Sequence, residues 1–115
     1  MRTLIIINDP PYGTERLYNG LRLALALMKR NGQEVDVFLM ADAVAGAKRG
    51  QMTPDGYYNV ERMVRRVASR GRVLLCGVCM DARGIGIEEV VEGAQRGSMD
   101  ALAEATEQAD NVLVF

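Results

Sequence analysis

Residues 72–76, "RVLLC", form a short aliphatic run that opens after Gly71 and closes at Gly77. A run of this kind, apolar without alternation, suits a strand covered on both faces in a parallel sheet. Residues 3–7, "TLIII", have the same look, and "EVDVFLM" (34–40) and "NVLVF" (111–115) complete a set of four. Between these runs the apolar period changes to that of helices. From Thr14 to Arg30, Leu17, Leu21, Ala24, Leu25 and Met28 form one face. Leu23 and Leu27 widen it, so this helix has apolar surface for more than the sheet. Thr14 is placed to cap its start and Gly32 its end. From Tyr58 to Ser69 a second face comprises Val60, Met63, Val64, Val67 and Ala68, and Gly71 stops it. Ser98 caps a third helix, which runs to Ala109 over Met99, Leu102 and Ala105. Residues 85–97 read as a helical turn and then a very short strand. Strands alternating with helices predict right-handed crossovers and a three-layer α/β/α sandwich.

The bulk composition restricts the function classes. A chain of 115 residues is one domain spanning 1–115, large enough to bury a core without disulfides or metal. Fourteen basic and fifteen acidic side chains nearly cancel, so no overall field favours nucleic acid or an anionic membrane. The low aromatic content, 5%, also argues against RNA, and weak net repulsion permits self-association. "MRTLIIIND" (1–9) has too short an apolar run for a signal peptide, and Arg22 and Lys29 interrupt the most apolar helix. A cytoplasmic protein, with its thiols kept reduced, is expected.

The ligand side of such a fold lies beyond the carboxyl ends of the strands. "CGVCMDARG" (76–84) falls there, and it holds both cysteines of the chain. Four readings compete: a redox disulfide, half a metal site, a thiol that carries a group, and two inert core sulfurs. Thiolate chemistry is favoured by a nearby cation and by turn amides, which Arg83 and the glycines at 77, 84 and 86 supply. Asp81 opposes this, or else orients Arg83. A zinc site lacks ligands, since there is no histidine and no third cysteine, and it would have to be completed across subunits. Absent histidine also removes Ser-His and Cys-His couples. Neither a GxGxxG nor a P-loop pattern is present. No metal and no bound cofactor are expected. Arg62, Arg65, Arg66, Arg70 and Arg72 cluster within eleven residues with Glu61 as the only opposing charge. Such a run reads first as a solvated helix face, and second as a docking patch for an acidic partner or RNA. "NDPPYGT" (8–14) and Gln51 read as packed loop.

The segments "PPYGTERLYNGLRLALAL", "EVDVFLMADAV", "KRGQMTPDGYYNVERMV", "LLCGVCMDARGI", "EGAQRGSMDALAEAT" and "ADNVLVF" together resemble the DsrE/DsrF-like sulfur-relay family, in its YchN-like branch. The resemblance runs nearly end to end. It implies a five-stranded parallel sheet, with the segment near 93–97 as the added strand, and small subunits assembled as trimers or hexamers. It also implies a cysteine that accepts sulfane sulfur as a persulfide. The acceptor lies seven residues before the arginine of an Arg-Gly pair, which here is Cys76 before Arg83. Many YchN-like chains carry the second cysteine, here Cys79.

The resulting expectation is a homo-oligomeric sulfur carrier using Cys76, Cys79 and Arg83, with sulfur-donor and sulfur-acceptor proteins as partners. A Cys76/Cys79 dithiol redox protein and a non-enzymatic oligomeric scaffold are the alternatives.

Overall fold

A computed structural model of the chain describes residues 1–115. The aliphatic runs form strands β1 (Arg2–Ile7), β2 (Glu34–Leu39), β3 (Arg72–Cys76) and β5 (Asn111–Val114). A fifth, β4 (Ala94–Gly97), follows a 3-10 turn at Ile87–Glu89. All pairings are parallel, in the order β4-β3-β2-β1-β5. The helices are α1 (Arg16–Met28), α2 (Val60–Ala68), α3 (Gly77–Ala82) and α4 (Met99–Gln108).

Strand alternation divides the side chains between two faces. Ile7 reaches Gly20 of α1, where a Cβ would stand 2.7 Å from Ile7 Cδ1, so Ile7, with Val37 and Leu39 in register, faces α1 and α2. The chain steps outward from β1 to β4 and then crosses back to β5. Right-handed crossovers therefore carry α4 to the opposite face, where it contacts β1 and buries Leu102 and Ala105. The result is the five-stranded parallel sheet of a three-layer α/β/α sandwich, around one cluster of 27 buried hydrophobic residues. No helix is long and apolar enough to cross a membrane.

Local chemistry sets the element ends. Ser98 Oγ accepts from Ala101 N at 3.1 Å, and Asn59 Oδ1 accepts from Arg62 N at 3.1 Å. Thr14 Oγ1 accepts from Arg16 N at 3.3 Å, but α1 begins two residues later than its apolar period suggests.

The loop at 48–59 is fastened rather than open. Gln51 Nε2 donates to the carbonyls of Gly46 and Lys48, and Gln51 N donates to Glu61 Oε1, each at 2.9 Å. Burial pushes the Glu61 carboxyl up, but the Gln51 and Gly50 amides and the Arg65 guanidinium outweigh it, so the group titrates below its ordinary range. A carboxylate with a depressed folded pKa stabilises the fold above its unfolded pKa. That contribution is lost as pH falls through the folded value. Hydrogen-exchange protection of the Gln51 amide is therefore expected to hold at pH 6 and to drop at pH 3. Glu61→Gln should lower it already at pH 6. Equal protection in all three conditions would contradict this anchor.

Candidate functional site

β3 ends at Cys76, and the backbone turns at once into α3, bringing Cys79 back over the strand end. The Cα atoms of Cys76 and Cys79 are 5.2 Å apart and their sulfurs are joined as a disulfide. Cys76 Sγ also accepts from Cys79 N at 3.3 Å, so the turn that places Cys79 also caps itself with Cys76.

The two sulfurs have different surroundings. Cys79 is half-buried, and its Sγ accepts from Ala41 N at 3.2 Å. Ala41 holds φ at +52°, a left-handed conformation that costs an alanine about 1 kcal/mol. It opens the 3-10 helix Ala41–Ala47, which has no counterpart among the sequence expectations. Cys76 is only 7% exposed, but it borders a cavity of about 270 Å³. Phe38, Val78 and Met99 give that cavity apolar walls, and Arg96 and Ser98 give it polar ones. Gly97, opposite Cys76 in the parallel register, keeps it open: a Cβ there would stand 3.1 Å from Phe38 Cε2.

Arg83 is brought to the turn, and its hydrogen bonds go to groups other than the sulfurs. Its Nε pairs with Asp42 Oδ1 at 2.8 Å, and its Nη1 donates to the Cys79 carbonyl at 3.0 Å. It therefore ties α3 to the 3-10 helix and fixes the Cys79 backbone. Asp81 does not orient Arg83, because it is taken by Arg96 through two hydrogen bonds of 3.0 and 2.8 Å. Those bonds draw the Asp81 carboxyl below its ordinary range, against a smaller push from burial, and raise Arg96.

The cation that shares the cavity with Cys76 is Arg96. Its guanidinium lies across Gly77, where a Cβ would be 2.7 Å from Nε and 2.8 Å from Cζ. Gly77 is thus a close-approach glycine. Residues 94–97, with two polar side chains among four, carry little strand signal. Pairing β4 beside β3 would have revealed Arg96, because a parallel neighbour delivers its side chains to the same sheet end. Gln51 lies in the fastened loop, outside this cavity. No group of three or more histidine, cysteine or acidic side chains is arranged to hold a metal ion.

The DsrE/DsrF-like family matches residues 1–115. The chain belongs to the DsrE/DsrF-like family. Within it, the chain is 39% identical over 116 residues to Protein YchN of Escherichia coli K12, covering 99% of this chain and 98% of that protein. It is 36% identical to the uncharacterized protein MJ0989 of Methanocaldococcus jannaschii, over the full length of both. The crystal structure of the E. coli YchN protein superimposes with a TM-score of 0.90 over 100% of both chains. A protein of unknown function from Methanobacterium thermoautotrophicum, MTH1491, shares the fold at a TM-score of 0.74 and 17% identity, with 96% of each chain covered. The family places the chain among proteins associated with sulfur relay.

Proposed function

We propose that this DsrE/DsrF-like protein carries sulfane sulfur on Cys76 and passes it between partner proteins in a reducing cytoplasm. The observation that carries the reading is the asymmetry of the pair: Cys76 borders a small cavity beside a cation, and Cys79 lies behind it within bonding reach. A purely structural role for both sulfurs fits poorly with a cysteine on a cavity wall and a half-buried partner.

With the pair reduced, the Cys76 thiolate attacks the outer sulfur of a donor persulfide. A new S–S bond forms on Cys76, the donor S–S bond breaks, and the donor leaves as a thiolate. An acceptor thiolate then takes the outer sulfur. Where no acceptor arrives, the Cys79 thiolate attacks Cys76 Sγ and hydrosulfide leaves with the bonding electrons. The outer sulfur gains the two electrons that the cysteines lose, and the pair ends as a disulfide. A dithiol reductant resets it. Arg96, held by Asp81 through Nη1 and Nη2, keeps its Nε–H beside Gly77 as a donor for the persulfide anion, while Arg83 positions the Cys79 backbone.

Transfer of radioactive sulfane sulfur tests the reading. Label should enter the reduced protein and leave with an added acceptor thiol; protein that takes up no label would exclude it. Arg96→Met should slow loading by about tenfold, the loss of one charged stabilising contact, without moving the label from Cys76. An unchanged rate would remove Arg96 from the account.

The disulfide itself supports a second reading, a dithiol redox protein. This requires a reversible Cys76–Cys79 couple with a definable potential and no sulfur uptake.

Self-association is part of the proposal. β5 is an edge strand whose Val112, Leu113 and Val114 are 40, 37 and 66% exposed, an apolar edge suited to a second copy of the chain. Sedimentation at micromolar concentration should give an oligomer, a trimer or hexamer by family resemblance. Val114→Lys should shift it toward monomer, and a monomeric wild type would refute the point.

A further inference from the structure

Read along α2 alone, Arg62 and Arg66 are two exposed residues of an arginine run. The fold sets them opposite Arg22 of α1 and Lys29, which follows it, across a groove of about 430 Å³. Four of its ten lining residues are cations and none is acidic, in a chain whose carboxylates outnumber its cations. Several arginines elsewhere on the surface have acidic partners: Arg65 pairs with Glu61, Arg83 with Asp42 and Arg96 with Asp81. None of the seven ion pairs uses Arg22, Lys29, Arg62 or Arg66. Like charges one helical turn apart, as at Arg62 and Arg66, cost a helix free energy unless an anion compensates them.

Apart from Asn59, the rest of the groove lining is aliphatic or aromatic. Leu25, Ala26 and Met63 contribute hydrophobic lining. Arg22 and Tyr18 of α1 and Tyr58 from the loop before α2 line it and form a column with Tyr12. The Arg22 guanidinium lies 5.3 Å from the Tyr18 ring centre, Tyr18 stacks on Tyr58 at 4.1 Å, and Tyr58 stacks on Tyr12 at 5.5 Å. Burial, the Glu15 charge and the two neighbouring tyrosines raise the Tyr58 phenol, so its hydroxyl remains a donor. Glu15 itself is not among the lining residues.

We propose that the groove between α1 and α2 binds a small organic oligophosphate of the nucleoside diphosphate kind, with its phosphates on Arg22, Lys29, Arg62 and Arg66. Compact charge on the ligand matches four unpaired cations around a pocket of small-molecule size. Guanidinium groups bind phosphate oxygens through paired hydrogen bonds. The apolar lining takes the organic part, which free phosphate does not offer. The site is separate from the Cys76 cavity, with which it shares no lining residue.

Calorimetric titration of the full chain at low ionic strength tests this, with ADP, pyrophosphate and an acidic peptide as probes. ADP should bind one per chain and more tightly than pyrophosphate. Arg62→Ala and Arg66→Ala should each weaken it about tenfold, the loss of one charged hydrogen-bonding contact. Arg70→Ala, an exposed cation outside the groove, should leave affinity unchanged, as should Cys76→Ser. The substitutions are at exposed positions, and unchanged thermal unfolding would show that the fold is retained. The proposal is overturned if ADP fails to bind, if Arg70→Ala weakens it as much as Arg62→Ala, or if pyrophosphate binds equally well. Tighter binding of the acidic peptide would overturn it in favour of a protein partner.

Discussion

The Cys79→Ser protein, once loaded from a sulfane donor, is expected to hold its extra sulfur far longer than the wild type. In the wild type the Cys79 thiol is tethered with its Cα 5.2 Å from that of Cys76, and the two sulfurs reach bonding contact. A thiol held this way acts at a high effective concentration, so intramolecular attack on Cys76 Sγ outpaces attack by dilute thiols. Removing it should extend the persulfide lifetime on the order of a hundredfold or more. It should also abolish the disulfide and the hydrosulfide release that accompanies it. Cys79 is half-buried and its Sγ accepts one amide hydrogen bond, from Ala41, which a serine oxygen can also accept. The fold should therefore tolerate the change. Equal lifetimes in the two proteins would show that Cys79 does not resolve the persulfide.

The largest effect on stability is expected far from the cysteines, at Gly71→Ala. Gly71 joins α2 to β3, and its amide donates to the Val67 carbonyl at 2.8 Å. A Cβ there would collide with the carbonyl oxygen of Val35 and come within 2.6 Å of Met28 Cε. The methionine end can move, but the Val35 carbonyl belongs to β2 and is held by the sheet. Forcing β2 and β3 apart at this point costs about 1–3 kcal/mol. In a domain of this size that lowers the melting temperature by roughly 5–10 °C. The double variant Gly71→Ala/Met28→Ala should not recover, because the backbone contact remains. Recovery would place the obstacle in the side chain, and an unchanged melting temperature would refute the close approach altogether.

Gly71 also illustrates what the sequence makes legible. Its place after an amphipathic segment marks a helix stop, and the aliphatic runs at 3–7, 34–40 and 72–76 mark buried parallel strands. Both signals are local. What escapes them is produced by neighbours distant in the chain. β4, with its polar Gln95 and Arg96, lies at the edge of the sheet and becomes a strand by pairing with β3. Residues 41–47 are mostly alanine, with one glycine and no helical apolar period. They fold into a 3-10 helix where Ala43, Val44 and Ala47 are buried.

The site follows the same division. Cys76, Cys79 and Arg83 lie within eight residues, and their shared turn is visible in the sequence. The destinations of their polar partners are not. Arg83 goes to Asp42, forty-one positions away, and Asp81 goes to Arg96 on the adjacent strand. Contiguity suggested an Asp81–Arg83 pairing, and sheet register supplied a different one. The arginine run behaves likewise, since only the packing of α1 on α2 sets Arg62 and Arg66 opposite Arg22 and Lys29.

The central claim is that sulfur resides on Cys76, and intact mass after loading addresses it most directly. The reduced wild type, Cys76→Ser and Cys79→Ser proteins are each exposed to a sulfane donor and weighed under non-reducing conditions. Cys79→Ser should gain about 32 Da, one sulfur atom, and lose it on reduction. The wild type should pass through the same adduct and settle at the mass of its disulfide. Cys76→Ser should gain nothing. A Cys76→Ser protein that takes up one reducible sulfur would contradict the assignment.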